Sequence, residues 1–415
     1  MRTHQIAGLF STAIFRENLG CTLVEGLTEA ELRAQHTGDN TPPPHLDPNV
    51  EWPVGEAGPT ADVPPGVDMD CVRARVAEQF ADTGANPRGI TVVYREKLIF
   101  EQYQTAPDGT PVVTKDSRLI GWSATKSVVN ALIGVLKGED RIALFEPAPV
   151  PEWNEVAGDP RGAITTDEML HMVSGVPWGA DPLTTTWCLF DSGSTMGGEP
   201  TRTAGDCAAW CTNTEDFSLA TEPGARGEYN SGSSYMLSRI VNQERGDPEL
   251  TNFEWPAQKL FWPIGAHSFY IEYQPNQHFL GGALGYATAR DWARFGLLFL
   301  RDGAILLLSC LRPCGGSENS ADVRAGIWVD GRRIVPEGWV DYSRTGSIAD
   351  PGYGAHPHGQ QDAVPNQHDL RLGFGGKPST LLVQVHTGGW TQDERCTSRR
   401  AFATRMCTSS RGAAW

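Results

Sequence analysis

Apolar residues recur along the chain with periods that predict an ordered series of elements. The run VVNALIGVL, Val128 to Leu136, is apolar on nearly every face and ends at Lys137-Gly138, which predicts a helix buried in a core and stopped at a glycine. Val72, Val76 and Phe80 stand at helical spacing and predict an amphipathic helix. ITVVY at 90–94 and LIFEQY at 98–103, split by a short polar turn, predict a hairpin of two strands. LTEAELRAQ at 27–35 predicts a helix with Thr28 as N-cap and Glu31 closing a capping box. In ITTDEMLHMVSG, 164–175, Thr166 is expected to cap a helix carrying Met169, Leu170, His171 and Val173, with Gly175 ending it. His171 on that helix reads as a structural histidine. A glycine-rich turn from Pro223 to Gly232 leads into a helix from Tyr235 to Val241, and Thr288 to Leu300 reads as a capped amphipathic helix. Residues 180–225 are rich in small residues and loops.

Two stretches break this order. Ile6 to Phe15 is an apolar segment followed at once by Arg16 and Glu17 with no small-residue cleavage site, so it reads as an ordinary helix and not as an export signal. From Thr41 to Gly66 the chain is rich in proline and glycine, the composition of a linker or an extended surface arm. The folded unit is therefore expected to begin at Val67, dividing the chain into a segment 1–66 and a domain 67–415.

Composition narrows the possible partners. A chain of 415 residues with 40% hydrophobic and 20% charged residues is globular in character. Its net charge of −16 argues against a nucleic-acid surface or an anionic membrane as partner. No stretch approaches the roughly 20 apolar residues of a membrane span. The nine cysteines are odd in number and scattered, which favours a reducing compartment over export. Cys207/Cys211 and Cys310/Cys314 lack a nearby histidine, so zinc is not expected. His356-Pro-His358 has no evident further ligand and reads as chance.

The chemistry centres on Gly121-Trp122-Ser123-Ala124-Thr125-Lys126. Only Ser123 has a lysine three residues downstream, which on a helix puts the ammonium beside the hydroxyl. An unassisted serine is a poor nucleophile at neutral pH and needs such a neighbour. A helix N-terminus also places partial positive charge where an oxyanion would form. A surface serine and lysine at a helix start would give the same pattern, but a polar pair at the mouth of an apolar helix calls for a reason. There is no G-x-S-x-G elbow, H-E-x-x-H pair, phosphate loop or dinucleotide fingerprint.

With GWSATKSVVNALIG, the stretches ITTDEMLHMVSGVPW, PGARGEYNSGSSYMLSRI, PIGAHSF, GGALGYATARDWARFGLLFLRDG and WVDGRRIVPEGWVDYSR stand in one order. Together they resemble the beta-lactamase-related serine hydrolases: class C beta-lactamases, D-alanyl-D-alanine carboxypeptidases, carboxylesterases and 6-aminohexanoate-dimer hydrolase. The resemblance implies an α/β fold of the beta-lactamase/transpeptidase kind, an antiparallel sheet flanked by helices with an inserted, mostly helical subdomain. It implies Ser123 as acyl-accepting nucleophile, Lys126 as its ammonium neighbour and Tyr229 as the tyrosine of the Y-x-N element. Tyr229 could act as base if the ammonium lowers its pKa from about 10. The three would then form one coupled network. The implied activity is hydrolysis of a small-molecule ester or amide with no metal and no organic cofactor. Trp122, Trp178 and Trp187 are candidates for pocket walls or for core.

This chain departs from the pattern in places. Ser231 stands where Y-x-N has asparagine, with Asn230 displaced by one, a change that weakens a beta-lactamase assignment more than hydrolysis. The third element, K-T-G or H-x-G on an edge strand, is matched only by His386-Thr387-Gly388-Gly389, with Val383-Gln-Val385 as its strand and the Gly389 N–H as a second oxyanion donor. Residues 304–327 and 357–415 are atypical, explained by a divergent insertion and tail or by a fault in the gene model. A non-catalytic ligand sensor or interaction module on the same fold is the alternative reading.

Overall fold

In the computed structural model, main chain and side chains are described for residues 12–24, 26–82, 86–155, 157–177, 219–301, 333–351 and 353–355, and the backbone alone for 2–6, 9–11, 371–374 and 380–386. A four-stranded antiparallel sheet forms the frame. It is built from β4 (Pro87–Tyr94), β5 (Lys97–Tyr103), β9 (Arg371–Phe374) and β10 (Thr380–His386) in the order β5-β4-β10-β9. The predicted hairpin is thus present as β4 and β5. Alternation along β4 separates its two faces. Ile90, Val92 and Ile99 pack with Val76 of helix α2 (Met69–Ala81) on one side. Thr91 and Val93 point the other way, toward helix α6 (Ala289–Leu300), where Thr91 Oγ1 donates to the Ala289 carbonyl at 3.5 Å. Helices therefore cover both faces, the arrangement expected of an α/β chain of this type.

The main core surrounds α3 (Thr125–Gly138), in which every residue from Thr125 to Leu136 is buried. That is the burial foretold by its all-round apolar pattern. Within the apolar run 128–136 the polar residue is Asn130, whose Nδ2 donates to the Ala355 carbonyl at 2.5 Å. Its Oδ1 accepts from Trp339 Nε1 at 3.0 Å and from Ser343 Oγ at 3.1 Å. Asn130 thus ties α7 (Trp339–Arg344) to the central helix, every polar atom of its amide group being used. Helix α5 (Gly232–Glu244) packs against α3, with α4 (Thr166–Leu170) behind it. A small sheet, β6-β8-β7, carries Leu119–Ile120 (β6), Tyr270–Ile271 (β7) and Gly285–Ala287 (β8) and delivers the chain to the start of α3.

The first residues depart from expectation. Ile6 to Phe15 is not a helix; β1 (Arg2–Ile6), β2 (Leu9–Arg16) and β3 (Gly20–Leu23) form an antiparallel meander. Toward its end Ile14 is fully buried and Phe15 is exposed, on opposite faces of the strand. The turn at 17–19, closed by Gly20 at φ 69°, docks β3 on the β7 edge, where Cys21 N–H donates to Glu272 Oε1 at 3.0 Å. The helix α1 (Glu29–Ala34) has the predicted Thr28/Glu31 capping box. The Pro/Gly-rich stretch is an irregular arm laid on the body, with Trp52 buried beneath it and Arg294 donating to the carbonyls of Pro53 and Gly55.

Two local corrections follow. The cap of α4 is Thr165, not Thr166, because Thr165 has the glutamate three residues on: Thr165 Oγ1 accepts from Glu168 N–H and the Glu168 carboxylate accepts from Thr165 N–H. Residue 171 is the C-cap of this short helix and not a member of its body. Cys71 of α2 is disulfide-bonded, which the cysteine spacing did not foretell. No helix among the described residues is long and apolar enough to cross a membrane.

Candidate active site

The chain leaves β6 through Gly121, whose N–H donates to the Gly285 carbonyl of β8 at 2.8 Å. A side chain at Gly121 would fall on the Trp292 ring, so only glycine allows this approach. The next residue, Trp122, has φ 45°, a left-handed conformation that costs a bulky residue about 1–3 kcal/mol. That turn swings Ser123 into a short 3₁₀ segment, Trp122–Ala124, that runs directly into α3. Thr125 Oγ1 accepts from the Gly285 N–H at 3.0 Å and pins the helix start to β8. Ser123 therefore sits at a helix entrance, where the first N–H groups have no intrahelical partner.

Lys126 lies one turn on and is fully buried. Its Nζ donates to the Gly282 carbonyl at 2.7 Å, to Ser231 Oγ at 3.0 Å and to Ser123 Oγ at 3.3 Å. Three N–H bonds of an ammonium meet three acceptors. A neutral amine fits equally well, because either serine hydroxyl can reverse its role and donate to the nitrogen lone pair, whereas the Gly282 carbonyl can only accept. The structure thus joins Ser123, Lys126 and Ser231 in one cluster and adds Gly282, which the sequence reading did not assign.

Glycine at 281 and 282 is what lets the backbone come so near. A Cβ on Gly281 would meet Ser238 of α5 and Val129 of α3, and one on Gly282 would lie 2.9 Å from the Tyr235 ring and 3.0 Å from Ser231 Cβ. Tyr235 forms the floor of the site, 1% exposed, and burial pushes its hydroxyl pKa far above the usual tyrosine range. The Gly281-Gly282 doublet was the sequence signal for this close packing.

Tyr229 reaches the site from the turn preceding α5. Lys126 Nζ stands over its ring, 5.1 Å from the centroid, so the contact is with the aromatic face. Tyr229 is 46% exposed, and Tyr353 meets it edge-on at 5.8 Å. The displaced Asn230 serves the backbone instead. Its Oδ1 accepts from Ser233 N–H at 2.7 Å and its Nδ2 donates to the Glu228 carbonyl at 2.7 Å, capping α5 and fixing the turn. The amide is spent on the helix start, and the Ser231 hydroxyl faces the lysine.

His386 ends β10, which forms as the Val383-Gln-Val385 pattern expected. Among the described strands it lies inside the sheet, between β4 and β9, and not at the edge, with His386 opposite Pro87. Thr387, Gly388, Gly389, Trp178, Trp187, the Cys207/Cys211 and Cys310/Cys314 pairs, His356-Pro-His358 and residues 304–327 lie outside the described residues.

Comparison with known proteins bears on the family and the fold. The sequence model of the Beta-lactamase family matches residues 72–356. No curated protein matches the chain. Among solved structures, the chain is similar to a candidate 6-aminohexanoate-dimer hydrolase from Bacillus anthracis, with 20% identity over 75% of this chain and 76% of that one and a TM-score of 0.51. It is also similar to a penicillin-binding protein homologue from Caulobacter crescentus, at 16% identity over 79% of this chain and 93% of that one, with a TM-score of 0.51. At these identities the two structures speak for the fold.

Proposed function

The chain belongs to the Beta-lactamase family, whose members are typically serine hydrolases, and from that premise we propose that it hydrolyses a carboxylic ester or amide through an acyl-enzyme on Ser123. The observation that carries the reading is the buried Lys126 nitrogen held between Ser123 Oγ and Ser231 Oγ and anchored on the Gly282 carbonyl. Ser123 Oγ attacks the substrate carbonyl carbon while its proton passes into the Lys126–Tyr229 network. The tetrahedral oxyanion forms against the Ser123 N–H at the helix entrance, with the Gly389 N–H proposed as the second donor. Collapse breaks the ester or amide bond, and the leaving oxygen or nitrogen takes a proton back from the network. A water molecule then repeats the sequence on the acyl-enzyme and frees Ser123. The role of base is assigned to the network and to neither Lys126 nor Tyr229 alone.

The turn at 229–231 supports a choice of substrate class. No asparagine amide faces the lysine there, because Asn230 is engaged by α5 and Ser231 offers a shorter hydroxyl. Short acyl esters or linear amides are therefore the proposed substrates over beta-lactams. The test is a panel of p-nitrophenyl esters, linear amides and nitrocefin, run with Ser123→Ala alongside. Ester turnover that vanishes in Ser123→Ala supports the proposal. Nitrocefin turnover equal to that of the esters rejects the substrate class, and covalent labelling of Ser123 without turnover of any substrate points to a sensor.

A further inference from the structure

His171 and Met172 stand next to one another where the chain leaves α4, and they hold two different segments. The His171 ring lies between two carbonyls, with Nδ1 3.0 Å from Asp167 O and Nε2 3.0 Å from Thr345 O. Met172 is in the left-handed region at φ 58°, which turns its carbonyl away from the helix to accept the Glu228 N–H at 2.8 Å. Thr345 opens the stretch that reaches Tyr353, while Glu228 immediately precedes Tyr229. The two stretches also touch directly, since a side chain at Gly227 would lie 2.9 Å from Asp350 Cβ. At their ends Tyr353 and Tyr229 meet edge-on.

We infer that His171 is a positioning residue for Tyr229: it grips the 345–353 stretch while its neighbour grips 228, so that Tyr353 braces Tyr229 over Lys126. This inference rests on the hydrolase reading of the Ser123 site. Two carbonyls facing the two ring nitrogens call for two N–H donors, which only the imidazolium supplies. The groups around the ring agree. Burial alone would lower its pKa, but the Asp167 carboxylate and the two carbonyls outweigh burial and raise it above 6.5. Tyr342 packs edge-on at 5.5 Å and spends its hydroxyl on Asp167 Oδ1 at 2.7 Å, so the carboxylate is itself held toward His171.

The test is a double-mutant cycle read as the rate constant for fluorophosphonate labelling of Ser123, with a thermal melt for each variant. His171→Ala is expected to slow labelling on the order of tenfold to a hundredfold when Tyr229 is present. In the Tyr229→Phe background the same change should cost less than about threefold, because the two act through one group. Equal losses in both backgrounds would overturn the inference, since a merely structural histidine would cost the same in each. Where His171→Ala does not fold, Tyr353→Ala takes its place in the cycle: loss confined to the Tyr229 background supports the brace, and equal loss overturns it. No labelling of Ser123 in the unaltered protein would overturn the hydrolase reading itself, and the inference with it.

Discussion

Lys126 Nζ is held 2.7 Å from the carbonyl oxygen of Gly282, a residue 156 positions away in the chain. A carbonyl can only accept, so this bond fixes one N–H of the lysine and leaves the rest of the nitrogen directed at Ser123 and Ser231. Adding a methyl group at Gly282 would place it against the Tyr235 ring and Ser231 Cβ and move the carbonyl. Gly282→Ala is therefore expected to lower kcat/KM for an ester by about a hundredfold, the cost of a displacement near 1 Å. Steady-state kinetics on the folded variant check this, and wild-type kcat/KM would refute the anchoring role.

Ser123→Ala, Lys126→Ala and Tyr229→Phe are each expected to reduce ester hydrolysis by about three orders of magnitude or more. Because the groups act as one unit, the double variants should be little worse than the singles. Additive losses measured across the set would show that the three work independently.

Arg294 secures the arm at 53–56. It is 1% exposed, bonds the carbonyls of Pro53 and Gly55, and pairs with Glu56 at 2.6 Å and Asp291 at 2.5 Å. Arg294→Ala strips the Pro53 and Gly55 carbonyls of their donor and removes one partner from each carboxylate, while Arg290 still pairs with Glu56 and Ser268 still donates to Asp291, a loss of about 1–3 kcal/mol. Urea denaturation should report that drop; an unchanged midpoint would mean that the Arg294 contacts contribute no stability.

Glu272 links the amino-terminal meander to the small sheet. Burial raises its pKa to about 7, against the lowering effects of the Cys21 N–H and Tyr286. A raised folded pKa means that its contribution is full below the unfolded value near 4.5 and is lost as pH climbs through 7. Glu272→Gln, which cannot ionise, should then gain on the order of 2 kcal/mol over wild type above pH 7 and little near pH 4.5. Melting temperatures across that window check the sign; a variant equally shifted at both pH values would show that ionisation is not the cause.

What the sequence determined by itself is whatever depends on a few neighbouring residues. An apolar pattern on every face of 128–136 requires a buried helix, and S-x-x-K spacing requires the lysine beside the serine, because both are properties of one helical turn. The Thr28/Glu31 box, the 90–103 hairpin and the Thr288 cap are local for the same reason. The Thr165 cap was equally legible, since its glutamate lies three residues on. The tertiary structure alone decided the rest. Leu9 to Phe15 contains residues suited to helix or strand, and pairing with β1 and β3 made it a strand. Ser231 and Gly282 join Lys126 across 105 and 156 residues, and His171 reaches Thr345 across 174. No periodicity encodes such contacts; they exist because the glycines at 281 and 282 and the left-handed turns at Trp122 and Met172 bring separate segments within bonding distance.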